Sequence, residues 1–351
     1  MMKLIKFGFK ENSWHLYPIE GFQPSNLIVG KNSAGKSKTL RSLFYTVFYI
    51  RNLVDMPWEF EPNMTFKDED GNQISYTFRI EEGIIKYEQL MANERLIIER
   101  DEHHSIIGAE TINPPANRLI LQVRRDTDKY PDIEKIIQWC ENSYYLTFNE
   151  IELHQGKTSP FSLNDDKYNI YTMLRTMTGS WRDSFKASAK LVGYDIFGID
   201  AQPIANEEQM IITELGVPVP LLRLGMSKGM YRVLYLLVFM EYVKQHQYPT
   251  AIFIDDFCEG LDFERANRFG KMFFQFCEDN NIQLFVTSND RFLMNVVDIS
   301  KWTILYRENS KVLNVNSTSN PKIFEKFSFT GLNNFDLFSS DFIEKCLNKD
   351  E

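Results

Sequence analysis

Apolar residues follow one another along this chain in distinct rhythms. Near the N-terminus they alternate loosely with polar ones: Leu4, Phe7 and Phe9 fit a first strand over 3–9, and residues 15–19 fit a second. Leu27-Ile28-Val29 is continuous, the pattern of a strand buried on both faces. The spacing then becomes helical, and Leu40, Leu43, Phe44, Val47 and Phe48 predict an amphipathic helix over 36–54. Short β-like runs return at 64–67, 74–80, 84–87, 96–100 and 105–107. Asp68 to Asn72 and Glu81-Glu82-Gly83 separate them as turns. This region predicts an antiparallel sheet of hairpins inserted after the first helix.

Pro114-Pro115 breaks the pattern, and Leu119 to Val123 reads as a strand. Residues 132–149 read as a helix, 151–167 as a polar loop, and 167–192 as one or two helices with Gly179 as the break. Short strands and turns are expected over 191–216. The last third alternates helix and buried strand: helix 226–245, strand 251–254, helix 263–279, strand 282–287, helix 292–297 and a final strand 302–306. The tail, 317–351, is aromatic and is expected to pack. The fold class is α/β, a mixed sheet core with an inserted antiparallel β subdomain and a helical lid. Its expected bounds are 1–57 and 221–316 for the core, 58–125 for the β insertion, 126–220 for the lid and 317–351 for the tail. No internal repeat or long heptad run is present.

Composition narrows the class without choosing a function. With 351 residues, 43% hydrophobic and 14% aromatic, the chain can bury a large core. A net charge of −9 argues against a general nucleic-acid coat. Cys140, Cys258, Cys277 and Cys346 are scattered, without a C-x-x-C pair, and read as reduced thiols of a cytoplasmic protein. The start, MMKLIKFGFK, has no signal-peptide core, and the most apolar run, Val233 to Met240, is too short to span a bilayer. No membrane partner is expected.

The chemistry concentrates after the third strand. Gly30-Lys31-Asn32-Ser33-Ala34-Gly35-Lys36-Ser37 is a full G-x-x-x-x-G-K-[ST] motif, followed by Lys38, between a predicted strand and a predicted helix. Backbone N–H groups of such a loop and the helix N-terminus cradle phosphates. Lys36 would reach the β- and γ-phosphates, and the Ser37 hydroxyl would ligate Mg²⁺. Ala251-Ile252-Phe253-Ile254 ends in Asp255-Asp256. A carboxylate at that strand end, Asp255, holds Mg²⁺ beside the phosphates, and Asp256 stands where it could polarise the attacking water. Ser227 and Gly229 precede the apolar helix and could donate to an anion, or serve as a plain cap. Thr287-Ser288-Asn289-Asp290 closes another buried strand, where it could sense a γ-phosphate or be loop.

In this order the segments resemble the ABC-type ATPases, and more narrowly the SMC/RecF/OLD-like branch of P-loop NTPases. GKNSAGKS matches Walker A, Leu224 to Gly229 the signature loop, IFIDD Walker B, and Glu259-Gly260-Leu261-Asp262 the D-loop, with TSND at the switch position. Pro115-Ala116-Asn117-Arg118 is similar to the P-A-x-R element of OLD-like defence ATPases. The chain departs from the family at Asp256, where glutamate is usual, with Glu259 as a nearby substitute. It lacks the switch histidine, for which Asn289 is the candidate. Gln122 is the candidate Q-loop glutamine and metal ligand.

The resemblance implies ATP and Mg²⁺ as cofactors and a homodimer that sandwiches ATP between the Walker motifs of one chain and Ser227 and Gly229 of the other. It implies an ATPase regulating a separately encoded effector, such as a nuclease, in bacterial anti-phage defence, since no second catalytic region is read here. The alternatives are a RecF-like DNA-repair ATPase, with Arg118, Arg124, Arg125, Lys186 and Lys190 as basic candidates or merely a solvated face, and a slowly hydrolysing ATP-dependent scaffold.

Overall fold

The chain begins as a hairpin, β1 (Lys3–Glu11) and β2 (Trp14–Glu20), and continues as β3 (Ser25–Gly30), from which α1 (Lys36–Ile50) departs. A computed structural model describes residues 2–148, 169–204, 207–340 and 342–347; the loop expected over 151–167 lies outside the described residues. A meander follows: β4 (Glu59–Lys67), β5 (Gln73–Glu81), β6 (Ile84–Ala92), β7 (Arg95–Arg100), β8 (Ser105–Ile107) and β9 (Glu110–Thr111). Buried and more open positions alternate along β4 and β5 because only one face packs on the core. The middle of the chain holds α2 (Ile120–Val123), α3 (Pro131–Glu141), β10 (Ser143–Leu146), α4 (Ile170–Thr176) and α5 (Trp181–Val192). A small separate sheet comes next, β11 (Ile196–Ile204), β12 (Glu207–Glu214) and β13 (Leu221–Leu222). The last third contributes α6 (Lys228–Gln245), β14 (Ala251–Ile254), α7 (Phe263–Asp279), β15 (Gln283–Thr287), α8 (Arg291–Val296), β16 (Trp302–Glu308) and β17 (Lys311–Asn316). The tail forms α9 (Pro321–Ser328), α10 (Asn334–Ser339) and α11 (Phe342–Leu347).

One 14-stranded sheet runs through the molecule in the order β10-β14-β15-β3-β16-β17-β2-β1-β4-β5-β6-β7-β8-β9. From β10 to β16 neighbouring strands are parallel. β17 turns back on β16, pairs parallel with β2, and through β1 the sheet runs on antiparallel into the meander. The parallel strands are covered on both faces. Ile28, Phe253 and Phe285 pack with Leu40, Leu43, Phe44 and Val47 of α1. Leu27, Val29, Ile252, Ile254, Leu284 and Val286 join the core of α6 and α7 on the other side. Double burial is why these strands read as uninterrupted apolar runs. No helix among the described residues is long and apolar enough to cross a membrane.

Most expected elements form, and four differ. Residues 120–123 are helical, not a strand. The helix expected over 132–149 ends at Glu141, and Ser143–Leu146 joins the main sheet beside β14, where its paired tyrosines suit a pleated surface. The run 191–216 contains a long hairpin, and β17 follows the strand expected to be last. In the tail Phe324, Phe327 and Leu337 are buried, while Phe329 is 89% exposed.

The short helix α2 owes its form to a buried carboxylate. Glu88, fully buried, accepts the Ile120 N–H at 2.7 Å, the Leu121 N–H at 3.3 Å and the Tyr76 hydroxyl at 2.9 Å. A strand would need those N–H groups for a neighbour; here the carboxylate takes them. Arg100 donates to the carbonyls of Arg118 at 2.9 Å and Pro115 at 3.3 Å, holding the preceding turn. Burial pushes the Glu88 carboxyl up to about 7, against the hydrogen bonds and Arg100, which favour the ionised form. The unfolded chain ionises it near the ordinary 4.5, so between 4.5 and 7 the folded state holds the extra proton and stability falls as pH rises. Glu88→Gln should flatten this fall. Thermal melts at about pH 5 and about pH 7.5 read the difference, and an unchanged pH slope in the variant contradicts the assignment.

Candidate phosphate-binding site

The loop after β3 is shaped by two glycines. A Cβ on Gly30 would lie 2.8 Å from the Leu305 carbonyl oxygen and 3.0 Å from Ala34 Cβ, so β16 approaches too closely for any side chain. Gly35 has φ 103°, in the left-handed region that glycine enters without steric cost. It is the N-cap of α1, which has neither a side-chain cap nor an acidic residue in its first turn. Among the described residues no N-cap side chain takes up the first N–H groups of α1. Lys36 is buried, and its Nζ donates to the Gly30 carbonyl at 2.8 Å. Desolvation lowers its pKa; Asp256 and Asp255 pull the other way, which places both carboxylates in its field.

The acidic corner stands at the adjacent strand ends. Thr287, last residue of β15, donates its hydroxyl to Asp255 Oδ1 at 2.5 Å and accepts the Asp256 N–H at 2.8 Å. Arg232 of α6 donates to the Asp256 carbonyl at 2.9 Å and the Glu259 carbonyl at 2.7 Å, and its other nitrogen reaches Glu259 Oε2 at 3.2 Å. Asp256 is thus held at both backbone ends, in a left-handed conformation with φ 51°. Its surface is open, yet partial desolvation at the carboxyl, with Asp255 and Glu259 alongside, raises its pKa; Arg232 and Lys36 oppose the shift. A carboxyl raised in this way is a better proton acceptor than an ordinary aspartate. Asn289 donates to Asn32 Oδ1 at 3.1 Å, so the switch segment touches the phosphate loop. Ser288 is turned inward to the Phe257 carbonyl at 2.9 Å, and Asp290 caps α8.

Ser227 and Gly229 belong to the start of α6. The Ser227 oxygen accepts the Met230 N–H at 3.1 Å, a plain cap, while the residue stays exposed. Gly229 is required by contact: a Cβ there would fall 2.3 Å from the Gly260 carbonyl oxygen. The start of α6 and the turn at Gly260 are therefore packed backbone to backbone within one chain.

Other expected residues stand elsewhere. Gln122 donates to the Tyr49 carbonyl at 2.6 Å and accepts the Leu119 N–H at 3.0 Å. That is the C-terminal end of α1, about 20 Å along the helix from Lys36. The metal role expected of Gln122 is corrected: it closes a helix end. Lys38 turns away from the loop to Glu11, at 3.2 Å, and the Trp14 ring. Glu259 is engaged by Arg232. Arg118 bonds Asn52, Arg125 pairs with Glu134 and Glu141, and Lys186 lies 3.9 Å from Asp183. A cavity of about 540 Å³ opens beside Ser37 and Lys38, lined by Phe9, Tyr45, Pro57 and Phe60 together with Glu11 and Arg41. Arg232 was missed by sequence reasoning, and Thr287 was read only as part of the strand-end segment Thr287 to Asp290, not as the partner of Asp255. The signal for Arg232 was a single cation inside an otherwise apolar run; for Thr287 there was none beyond its place at a strand end.

The donor set fits a magnesium nucleotide. Hard oxygens (the Ser37 hydroxyl and Asp255 carboxylate) are the ligands Mg²⁺ prefers, and the bare N–H groups and Lys36 suit phosphate oxygens. Among the described residues no group of three His, Cys, Asp or Glu side chains is placed to hold a metal ion.

The fold is a mixed-sheet P-loop architecture of the ABC ATPase type, as in SMC heads. No protein-family model matches the chain, and no curated protein matches it. Solved structures do. An SMC head bound to the C-winged helix domain of ScpA superposes with a TM-score of 0.56 at 13% identity, over 91% of this chain and 99% of that one. The Smc head domain with an extended coiled coil bound to the C-terminal domain of ScpA, from Pyrococcus furiosus, gives 0.53 at 11% identity, over 93% and 100%. The likeness is one of fold.

The Gly229–Gly260 contact leaves no room for a methyl group. Gly229→Ala should lower the unfolding free energy by about 1–3 kcal/mol in a urea titration; an unchanged midpoint contradicts the packing described.

Proposed function

We propose that this chain binds ATP with Mg²⁺ and hydrolyses it as an ABC-type ATPase of the SMC/RecF/OLD-like branch, closing as a homodimer around the nucleotide. The observation that carries the reading is Lys36, buried between its loop carbonyl and the fields of Asp255 and Asp256. A lysine in that position exchanges the Gly30 carbonyl for phosphate oxygens when nucleotide enters. The bound ion supplies charge neutralisation at the phosphates; Ser37 and Asp255 would hold it. Thr287 fixes Asp255 through one oxygen, and Thr287 and Arg232 fix the backbone of Asp256. Asp256 orients a water and takes its proton, helped by its raised pKa. Asn289, bonded to Asn32, reports on the occupancy of the loop. The apolar cavity beyond Lys38 takes the nucleoside.

Ser227 bonds inside its own helix and presents its outer side to solvent. That placement supports a composite site in which Ser227 and Gly229 of a second copy cover the phosphates. The Pro115 to Arg118 resemblance supports control of a separately encoded effector, such as a nuclease, in anti-phage defence within the cytoplasm.

Lys36→Ala should weaken ATP binding by at least about tenfold, the loss expected for a charge-assisted hydrogen bond. Isothermal titration calorimetry measures it, and wild-type affinity in the variant removes the proposal.

A further inference from the structure

The outer face of α7 lines a groove of about 930 Å³, bordered by the end of α5 and by the segment that follows α8. One stripe of α7 is buried, including Phe269, Phe273, Phe276 and Cys277. The opposite stripe, Arg268, Lys271, Gln275 and Glu278, faces the groove. Gly270 also lines the groove and adds no side chain to fill it. A Cβ there would fall 2.6 Å from Leu293 Cδ1, so α8 packs close against α7 at that point.

The lining combines two chemistries. Leu191, Met272, Phe274, Val296 and Val297 supply apolar surface, and Leu191 is 68% exposed. The charged residues are Lys190, Arg268, Lys271 and Lys301 against Glu278 and Asp298, a surplus of cations in a chain of net charge −9. Both carboxylates are engaged: Glu278 accepts from Lys301 at 2.5 Å, and Asp298 accepts the Ser300 N–H at 2.8 Å. Arg268 pairs with Glu264 at 3.0 Å. Lys190, in the last turn of α5, and Lys271 of α7 make no ion pair among the described residues. From Asn267 to Glu278 the groove follows α7 for about 17 Å, at about 1.5 Å per residue, which matches about three turns of a helix laid alongside.

We propose that this groove docks an acidic amphipathic helix of a partner protein. Apolar side chains of that helix cover Leu191, Met272 and Phe274, and its carboxylates meet Lys190 and Lys271. A nucleic-acid backbone would satisfy the cations but leave the apolar floor uncovered, whereas helix-in-groove recognition uses both. The groove is formed by one chain and needs no nucleotide. α7 is capped by Asp262, three residues after Glu259, so the partner sits on the helix that leaves the acidic corner.

The probe is a fluorescein-labelled helical peptide of about 14 residues, with leucine at i, i+3, i+4 and i+7 and glutamate on both flanks. Fluorescence anisotropy with the full chain should show binding in the micromolar range that weakens as salt is added. The same peptide with lysine in place of glutamate should not bind. The double variant Lys190→Glu/Lys271→Glu should weaken the acidic peptide about tenfold or more. Leu191→Ser should weaken it too, whereas Lys86→Glu, on β6 of the meander, should not. These are surface positions, and unchanged thermal melts establish that the variants fold. An acidic peptide that does not bind, or that binds the double variant as tightly as wild type, overturns the inference. So does equal binding of the acidic and basic peptides. A duplex DNA of about 20 base pairs that binds in place of the peptide, and is lost in the double variant, gives the groove to nucleic acid and overturns the inference as well.

Discussion

The hydroxyl of Thr287 joins what the rest of the site requires. It donates to Asp255 and accepts from the N–H of Asp256, so the ends of β14 and β15 are tied side by side. β15 in turn pairs with β3, and β3 delivers the phosphate loop. Two neighbouring parallel pairings therefore set the carboxylates against Lys36. Each strand is buried on both faces, so this register cannot slip without moving a full set of core side chains. The site is precise because the sheet beneath it is anchored on two sides.

A second constraint is steric. Gly30 admits β16, and Gly229 admits the turn at Gly260, in each case at a distance that excludes a Cβ. The first contact shapes the loop. The second packs the start of α6 against the turn at Gly260, further tied by Arg232 to the carbonyls of Asp256 and Glu259. α6 is thereby bonded directly to the backbone of Asp256. In the proposed dimer, contact made by one chain at Ser227 would be felt at its own Asp256.

Much of this was legible in the sequence. Continuous apolar runs marked β3, β14 and β15, and the glycine-lysine-serine loop and the aspartate pair fell where strand ends had to bring them together. The failures have physical causes. Residues 119–123 are apolar enough for a strand, but a carboxylate more than thirty residues away takes their N–H groups; periodicity carries no trace of that. β10 is short and follows a helix without a break signal. Gln122 was named for its chemistry, but its distance from Lys36 is set by the length of α1. Thr287 and Arg232 act through hydrogen bonds to Asp255, Asp256 and Glu259 that become visible only in three dimensions.

The central claim is that nucleotide is held by the loop of one chain and by Ser227 of another. Mixing two inactive variants tests it most directly. Lys36→Ala removes the loop function and Ser227→Arg blocks the opposing surface. A composite site predicts that neither variant alone forms a nucleotide-bound dimer, whereas their mixture forms a heterodimer with one intact site, seen as one bound nucleotide by native mass spectrometry. A mixture that forms no nucleotide-bound dimer, like its separate components, contradicts the account.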